Sequence, residues 1–354
     1  MKNNYLAGVL FVLAGVLLLV WTINGKVSFF QWPTGERELL ESREFDGAFQ
    51  ELNIQTNSTD VIVQRSDDDA LRVEVYGYRS QQKHYRLEME DTGESLQVLY
   101  RQNNRESWFG FKRGHRLVIA LPDRAFRDIA VLSSSGDVSV ETALEADRVK
   151  LETSSGDLRI GHVRADMFTV TTSSGDVSAD ATIDAAQADW HTSSGDIFVR
   201  SIQTGAFTVR TSSGELEAGT ITGDSVSITG YSGDVEARNC ECGLLQIELT
   251  SGDVDIDAMS GMANVEVSSG SVELNNWDLT GDSSIRASSG DVDISLLNGE
   301  QAMEIDLRAG SGSMQVALPG FETVEKTNNR LTGRIGNGGP KLTVQTSSGD
   351  ISVE

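Results

Sequence analysis

The stretch TSSGDVSADATIDAAQADWHTSSGDIFV, residues 172–199, contains the motif Thr-Ser-Ser-Gly-Asp twice, with its glycine first at Gly175 and then at Gly195. Apolar and polar residues largely alternate after each motif and before the second one. This period of two residues predicts half-buried β-strands on both sides of a Ser-Gly turn.

The motif recurs throughout the second part of the chain. Ser-Gly followed by Asp, Glu or Ser appears with successive glycines 18 to 22 residues apart, except for a last interval of 37, which we interpret as one repeat with an insertion. The glycines are Gly136, Gly156, Gly175, Gly195, Gly214, Gly233, Gly252, Gly270, Gly290, Gly312 and Gly349.

Three apolar positions accompany each glycine. The residues two and four after it and five before it are apolar in all eleven copies, as Val177, Ala179 and Val170 are around Gly175. A unit this small cannot bury such side chains alone, whereas stacking places each one against its equivalents in neighbouring units. The sequence therefore predicts an all-β fold, a parallel β-helix (β-solenoid) with coils of about 19 residues and no helix within the repeats.

The residue after the glycine is acidic in nine copies. We expect each acidic residue to cap its own Ser-Gly turn by accepting amide hydrogen bonds, and each glycine to adopt a positive φ. The alternative is calcium bound between turns, as in nonapeptide β-rolls, but the paired glycines and second aspartate of that repeat are missing, so we expect no obligatory metal or cofactor. The predicted structural turn residues are Gly136, Asp137, Gly156, Asp157, Gly175, Asp176, Gly195, Asp196, Gly233, Asp234, Gly252, Asp253, Gly290, Asp291, Gly349 and Asp350.

Negative charge is concentrated in the repeats. Of the net charge of −24, residues 1–131 contribute 16 basic against 18 acidic residues, and residues 132–354 contribute 13 against 35. Phosphate repels such a surface, so nucleic acid is excluded as a partner, while cations or basic surfaces are compatible with it. The only cysteines, Cys240 and Cys242, are too few for a disulfide framework or a structural zinc site, and we interpret them as incidental.

The N-terminus predicts a membrane anchor. Residues 5–23 form an uncharged, mainly apolar run that would span about 28 Å as a helix. Lys2 before it favours a cytoplasmic N-terminus and an external body. A cleaved signal peptide is the alternative, but the run is long for one and no A-x-A site follows, so we predict a transmembrane anchor over residues 1–23 and a juxtamembrane linker over 24–44.

Residues 45–131 contain strand patterns without the turn motif, and we predict that they form irregular first coils that cap the solenoid. Within them lies a basic and aromatic segment, residues 101–116. Its aromatic side chains either plug the end of the solenoid or contact an anionic envelope polymer, lipid headgroups or a protein partner. The residues of this interaction patch are Arg105, Trp108, Phe109, Phe111, Lys112, Arg113 and Arg116.

The chain stops in mid-coil at Glu354, which predicts an open C-terminal strand edge where a second copy or a partner could pair. The insertion before it, residues 318–340, is expected to be a surface excursion. Parallel β-helices include polysaccharide-cleaving enzymes, but the four histidines are scattered and no nucleophile elbow, P-loop or paired metal motif is present. We therefore predict that the protein is not an enzyme and keep a glycan-active enzyme as the remote alternative.

The copies TSSGDLRI, TSSGDVSA, TSSGDIFV and TSSGDISV, the single N-terminal anchor and the closing LPG…GRIGNGGPKLTVQTSSGDISVE resemble the bacterial putative-adhesin family of β-strand-repeat proteins, a domain of unknown function. The resemblance covers about residues 45–354. It implies a single-stranded, right-handed β-helix outside the membrane and no catalytic residues. It favours a non-catalytic envelope-binding scaffold. Because anchored members similar to LiaG accompany envelope-stress operons, it leaves an accessory modulator of a stress sensor as the alternative.

Overall fold

The computed structural model describes residues 37–68, 70–78, 84–102 and 114–354. The predicted anchor and most of the predicted linker lie outside these ranges. Throughout the described ranges the regular structure consists of β-strands, which confirms the all-β solenoid. None of these residues belongs to a helix long and apolar enough to cross a membrane.

The strands follow the chain in order. The first eight precede the repeats: β1 (Glu38–Phe45), β2 (Glu51–Thr56), β3 (Asp60–Arg65), β4 (Leu71–Gly77), β5 (Tyr85–Asp91), β6 (Ser95–Gln102), β7 (Arg116–Leu121) and β8 (Phe126–Ser133). The next eight are β9 (Val138–Val140), β10 (Leu144–Thr153), β11 (Leu158–Ile160), β12 (Val163–Thr172), β13 (Val177–Thr192), β14 (Ile197–Ser213), β15 (Leu216–Ser232) and β16 (Val235–Ser251). The remainder are β17 (Val254–Ile256), β18 (Met259–Ser269), β19 (Val272–Leu279), β20 (Ser283–Ser289), β21 (Val292–Leu296), β22 (Met303–Ser311), β23 (Met314–Val316), β24 (Glu322–Lys326), β25 (Arg330–Ile335), β26 (Lys341–Ser348) and β27 (Ile351–Val353).

Successive coils stack in parallel and in register through the middle of the solenoid. Val177 lies opposite Ile197, and Ile197 lies opposite Leu216, so equivalent residues of consecutive repeats are neighbours. Each repeat supplies strand residues before its Ser-Gly turn and after it, and β13 to β16 run without a break from one turn to the next. This is the arrangement that the spacing of the glycines predicts.

The predicted apolar columns form the core. Val177, Ile197 and Leu216 are 2%, 2% and 1% exposed, because each is covered by the equivalent residue of the coil on either side. Burial of one such aliphatic side chain contributes about 1.5–3 kcal/mol. Trp190 continues the column five residues before the glycine and contacts Phe168 and Phe207 edge-on, with ring centroids 5.8 and 5.5 Å apart.

The order of the coils changes at the C-terminal end. Strand β26 lies between β20 and β22, and β27 lies between β21 and β23, so the last repeat is inserted between two earlier ones. The predicted open edge at Glu354 is therefore wrong. The physical reason is the insertion: it forms the hairpin β24–β25, which pairs antiparallel with β22 and turns the chain back toward the slot beside β20. Among the strands described at this end, β23 and β24 have one partner each.

The N-terminal end repeats this arrangement. Strand β2 lies between β6 and β8, and β3 lies between β7 and β9. Strands β5 and β4 then pair antiparallel with β6 and β7. The last residues of the predicted linker form β1, which pairs with β4. The outer strands β1, β5 and β24 carry charged side chains, which oppose pairing with other chains.

Candidate functional site

The turn glycines are stacked so closely that a side chain could not fit. A Cβ at Gly156, Gly175 or Gly195 would lie 2.2, 1.8 or 1.9 Å from the carbonyl oxygen of the glycine in the preceding coil. Glycine is required at every copy because the backbones of neighbouring coils approach closely. The expectation that every copy has a positive φ is wrong. Among the glycines of the turn motif, positive φ values occur only in the later copies, Gly233, Gly252, Gly270, Gly290, Gly312 and Gly349.

The aspartates after these glycines join neighbouring coils. Oδ1 of Asp137 accepts a hydrogen bond from the backbone amide of Asp157 at 3.0 Å, and Oδ1 of Asp157 accepts one from the amide of Asp176 at 3.1 Å. The expectation that each aspartate caps its own turn is wrong, because stacking brings the amide of the next coil within reach. The same bond connects six further pairs, Asp176 with Asp196, Asp196 with Glu215, Asp234 with Asp253, Asp253 with Ser271, Asp291 with Asp350, and Asp350 with Ser313.

A buried hydroxyl three residues before the glycine caps the turn instead. Oγ1 of Thr153, Thr172 and Thr192 accepts a hydrogen bond from the amide of the glycine three residues later, at 3.0 to 3.1 Å. Our sequence interpretation missed this role, although the threonine recurs in TSSGD. In the coil formed by β6 and β7, Tyr100 occupies the position equivalent to these threonines. Its Oη lies 2.5 Å from Nδ1 of the buried His115.

We expect Asp176→Ala to lower the free energy of unfolding by about 1 kcal/mol, because the amide of Asp196 loses its acceptor. Asp176→Asn retains an acceptor oxygen and removes a negative charge, so it should leave stability unchanged or slightly higher. Urea denaturation of the two variants tests this. Equal losses for alanine and asparagine would contradict the role of the carboxylate oxygen as an acceptor.

A second column of carboxylates lies two residues beyond the first. Its members occupy adjacent coils in register, and neighbouring strands are about 4.8 Å apart. Together with the column that contains Asp234 and Asp253, they form a surface that we call the acidic face. Arg238 contacts Glu217, the first member of the second column, with its Nη2 3.7 Å from Oε1. The members of the second column are Glu217, Glu236, Asp255, Glu273 and Asp293.

Crowding of like charges is visible in the pKa values of the acidic face. Partial burial, followed by the charges of Glu273 and Asp257, raises the pKa of Asp255 above its ordinary value. Burial and the charge of Asp291 do the same to the pKa of Asp293, and burial and the charge of Glu236 raise the pKa of Glu215. The folded state therefore favours the protonated form of these groups, and ionised carboxylates here repel one another.

Burial and repulsion together predict a pH dependence of stability. Because the folded-state pKa values of Glu215, Asp255 and Asp293 are raised, the folded protein binds more protons than the unfolded chain at mildly acidic pH. We expect the urea midpoint to rise as the pH falls from about 7 to about 5. The triple variant Glu215→Gln, Asp255→Asn, Asp293→Asn should show a flatter profile over that window. A midpoint that falls steadily over the same window would contradict the expectation.

A groove of about 600 Å³ crosses several coils on another side of the solenoid. Its floor consists of buried small side chains, Ala146, Ala165, Ala185 and Thr204. Five of the residues that line it are acidic and one is basic: Glu145, Asp147, Asp166, Asp184, Asp224 and Arg164. Nε of Arg164 lies 3.6 Å from Oδ2 of Asp184. The groove is thus negative overall.

The residues predicted as an interaction patch are largely outside the described ranges. Arg105, Trp108, Phe109, Phe111, Lys112 and Arg113 are in this group, and the patch stays a prediction. Arg116 opens β7 and lies opposite Asp60 and Tyr76.

The histidines do not converge on one place: His115 is buried beside Tyr100, while His162 and His191 are exposed on separate coils. Within the described ranges, no group of three or more His, Cys, Asp or Glu side chains could hold a metal ion.

Comparison with protein families gives two matches to the family described as Toastrack DUF4097, over residues 49–222 and 189–354. No curated protein matches the sequence significantly.

Several solved structures are similar. A putative adhesin from Bacteroides fragilis NCTC 9343 is 17% identical, with a TM-score of 0.48, over 62% of this chain and 98% of that one. A putative lipid binding protein from Parabacteroides distasonis ATCC 8503 is 15% identical, with a TM-score of 0.42, over 91% and 98%. A putative cell adhesion protein from Clostridium sporogenes ATCC 15579 is 10% identical, with a TM-score of 0.21, over 90% and 99%.

Proposed function

We propose, from the premise that this chain belongs to the Toastrack DUF4097 family, that it is a non-catalytic, membrane-anchored scaffold with an adhesin-like role. In this proposal the anchor over residues 1–23 places the solenoid outside the membrane. The uncharged run at residues 5–23 and Lys2 before it support the anchor and its orientation. The acidic face then binds cationic groups of an envelope polymer or a partner protein.

The observation that carries the proposal is the register of the acidic face. Glu217, Glu236, Asp255 and Glu273 lie directly opposite one another in consecutive coils, and every coil is hydrogen-bonded to its neighbours. The carboxylates are therefore held at a fixed spacing with little freedom to move apart. Burial and then the neighbouring charges of Glu273 and Asp257 raise the pKa of Asp255, and the repulsive part of this effect is relieved when a cation approaches. A preorganised array of this kind favours an extended polycation over a single small ion.

Direct binding tests the proposal. The full-length chain in nanodiscs of neutral lipid is immobilised, and a lysine decapeptide is titrated at low and at physiological salt. We expect saturable binding that weakens as salt rises. Neutralising four acids of the acidic face should weaken binding roughly tenfold, because charge pairs at an interface contribute to encounter and affinity. The variant combines Glu217→Gln, Glu236→Gln, Asp255→Asn and Glu273→Gln.

A matched control separates the acidic face from net charge. The control removes four exposed acids elsewhere on the solenoid and changes the net charge by the same amount. It should retain nearly full binding. Equal losses of affinity in both variants would mean that net charge alone explains the binding. Absence of binding by the unaltered chain would overturn the proposal. The control combines Glu141→Gln, Asp180→Asn, Glu248→Gln and Glu266→Gln.

A further inference from the structure

The two cysteines of the chain contact each other inside the solenoid. Sγ of Cys240 lies 3.5 Å from Sγ of Cys242, and neither forms a disulfide. Both side chains point inward from β16 and are 0% and 6% exposed. The hydrogen bond with Cys242, followed by burial, raises the pKa of the Cys240 thiol, and the same hydrogen bond lowers the pKa of the Cys242 thiol. The pair is thus a preformed dithiol in an apolar environment.

A third sulfur residue lies on the same side of the core. Met259 is opposite Cys240 in the next coil and is 2% exposed, so both residues belong to one interior column. On the other side of Cys240 this column contains Ile221, which offers no ligand. Two thiols and a thioether are therefore provided by adjacent positions of two neighbouring strands.

Glycines of both neighbouring coils lie beside Cys242. Gly223 lies opposite Cys242 in the preceding coil, and a Cβ at Gly261 of the following coil would lie 1.8 Å from the Cys242 carbonyl oxygen. The close approach of these backbones leaves the Cys242 side chain flanked by glycines. Cys242 is also the more exposed of the two residues, and an ion would therefore reach the pair from its side.

We propose that Cys240, Cys242 and Met259 form a binding site for a soft monovalent metal ion, Cu(I). Thiolate and thioether ligands select Cu(I) over harder ions, and three of them suit its low coordination number. With metal–sulfur bonds of about 2.3 Å, two sulfurs of a three-coordinate site lie roughly 4 Å apart. The observed 3.5 Å between the thiols requires only a small adjustment. The two cysteines bind as thiolates, so any proton that they carry is released to solvent, and no electron is transferred.

Competition with a chromophoric Cu(I) chelator tests the site. The full-length chain in mild detergent is titrated without oxygen, with ascorbate as reductant, and copper is followed by the chelator colour and by the thiolate-to-copper absorption band. We expect the chain to withdraw one Cu(I) from the chelator. Cys240→Ala and Cys242→Ala should each abolish the withdrawal and the band. Met259→Leu should weaken binding roughly tenfold, since a soft ligand is lost.

Met262→Leu is the matched control. Met262 lies on the same strand opposite Leu244, and its Sδ would lie 2.8 Å from a Cβ at Gly281. The Met262→Leu variant should bind Cu(I) with the same affinity as the unaltered chain. Because leucine replaces methionine in cores at a cost below about 1.5 kcal/mol, both methionine variants should remain folded, as circular dichroism would show. Copper left entirely on the chelator, or undiminished binding by Cys242→Ala, would overturn the site. Equal weakening by both methionine variants would exclude Met259 as the third ligand.

Discussion

Gly195→Ala is expected to lower the free energy of unfolding by roughly 3 kcal/mol or more, an exceptional loss for the addition of one methyl group. The new Cβ would lie 1.9 Å from the carbonyl oxygen of Gly175 and 2.6 Å from its carbonyl carbon. Both atoms belong to the backbone, so no side chain can turn away to make room. The two coils would have to separate, which would strain the bond between Asp176 and the amide of Asp196.

Urea denaturation of Gly195→Ala and Gly114→Ala provides the measurement with its control. A Cβ at Gly114 meets no atom of the described residues within 4 Å, and like Gly195 this residue lacks a positive φ. The two substitutions change the flexibility of the unfolded chain in the same way, so the difference between them isolates the clash between coils. A loss at Gly195 no larger than that at Gly114 would show that the coils are not stacked at this distance.

The middle of the fold could be predicted because its decisive contacts join equivalent residues. The apolar positions around Gly175, Gly195 and Gly214 recur at nearly equal spacing, so stacking them is the one arrangement that buries all copies at once. The ends could not be predicted in the same way. Periodicity tells which side of a strand faces the core, but every coil presents the same pattern and could lie beside any other. The order is decided by the hairpin β24–β25, whose turns carry no repeat signal.

The column of turn aspartates was predicted in its residues but not in its bonds. The recurrence of Asp137, Asp157 and Asp176 indicates a column, yet the amide that each carboxylate reaches depends on how closely the coils approach. The sequence motif is the same whether the aspartate accepts a hydrogen bond from its own turn or from the next coil. The second column of the acidic face was not predicted for a related reason: Glu217 and Asp255 look like ordinary strand residues until the register places them in one column.

The inserted last repeat leads to a second prediction with a large effect. The substitution Ile351→Asp should lower the free energy of unfolding by roughly 4 kcal/mol or more, because it buries an unpaired charge. Ile351 is 1% exposed and lies between Val292 and Met314, two equivalents of the same motif position. Met314→Asp should cost only about 1 kcal/mol. Met314 is half-buried, and among the described residues its strand β23 pairs on one side only, with β27. An aspartate at this position could therefore turn its charge toward water.

The pair of variants discriminates between two orders of the same coils. If the coils followed the chain, Ile351 would sit at the open end and Met314 inside, and the larger loss would belong to Met314→Asp. With the last repeat inserted, the ranking reverses, although the two positions have the same motif context and the substitutions introduce the same charge. Urea denaturation of both variants at neutral pH gives the ranking directly. A greater loss for Met314→Asp would mean that the final strand is peripheral, and the hairpin β24–β25 would then have no part in ordering the coils.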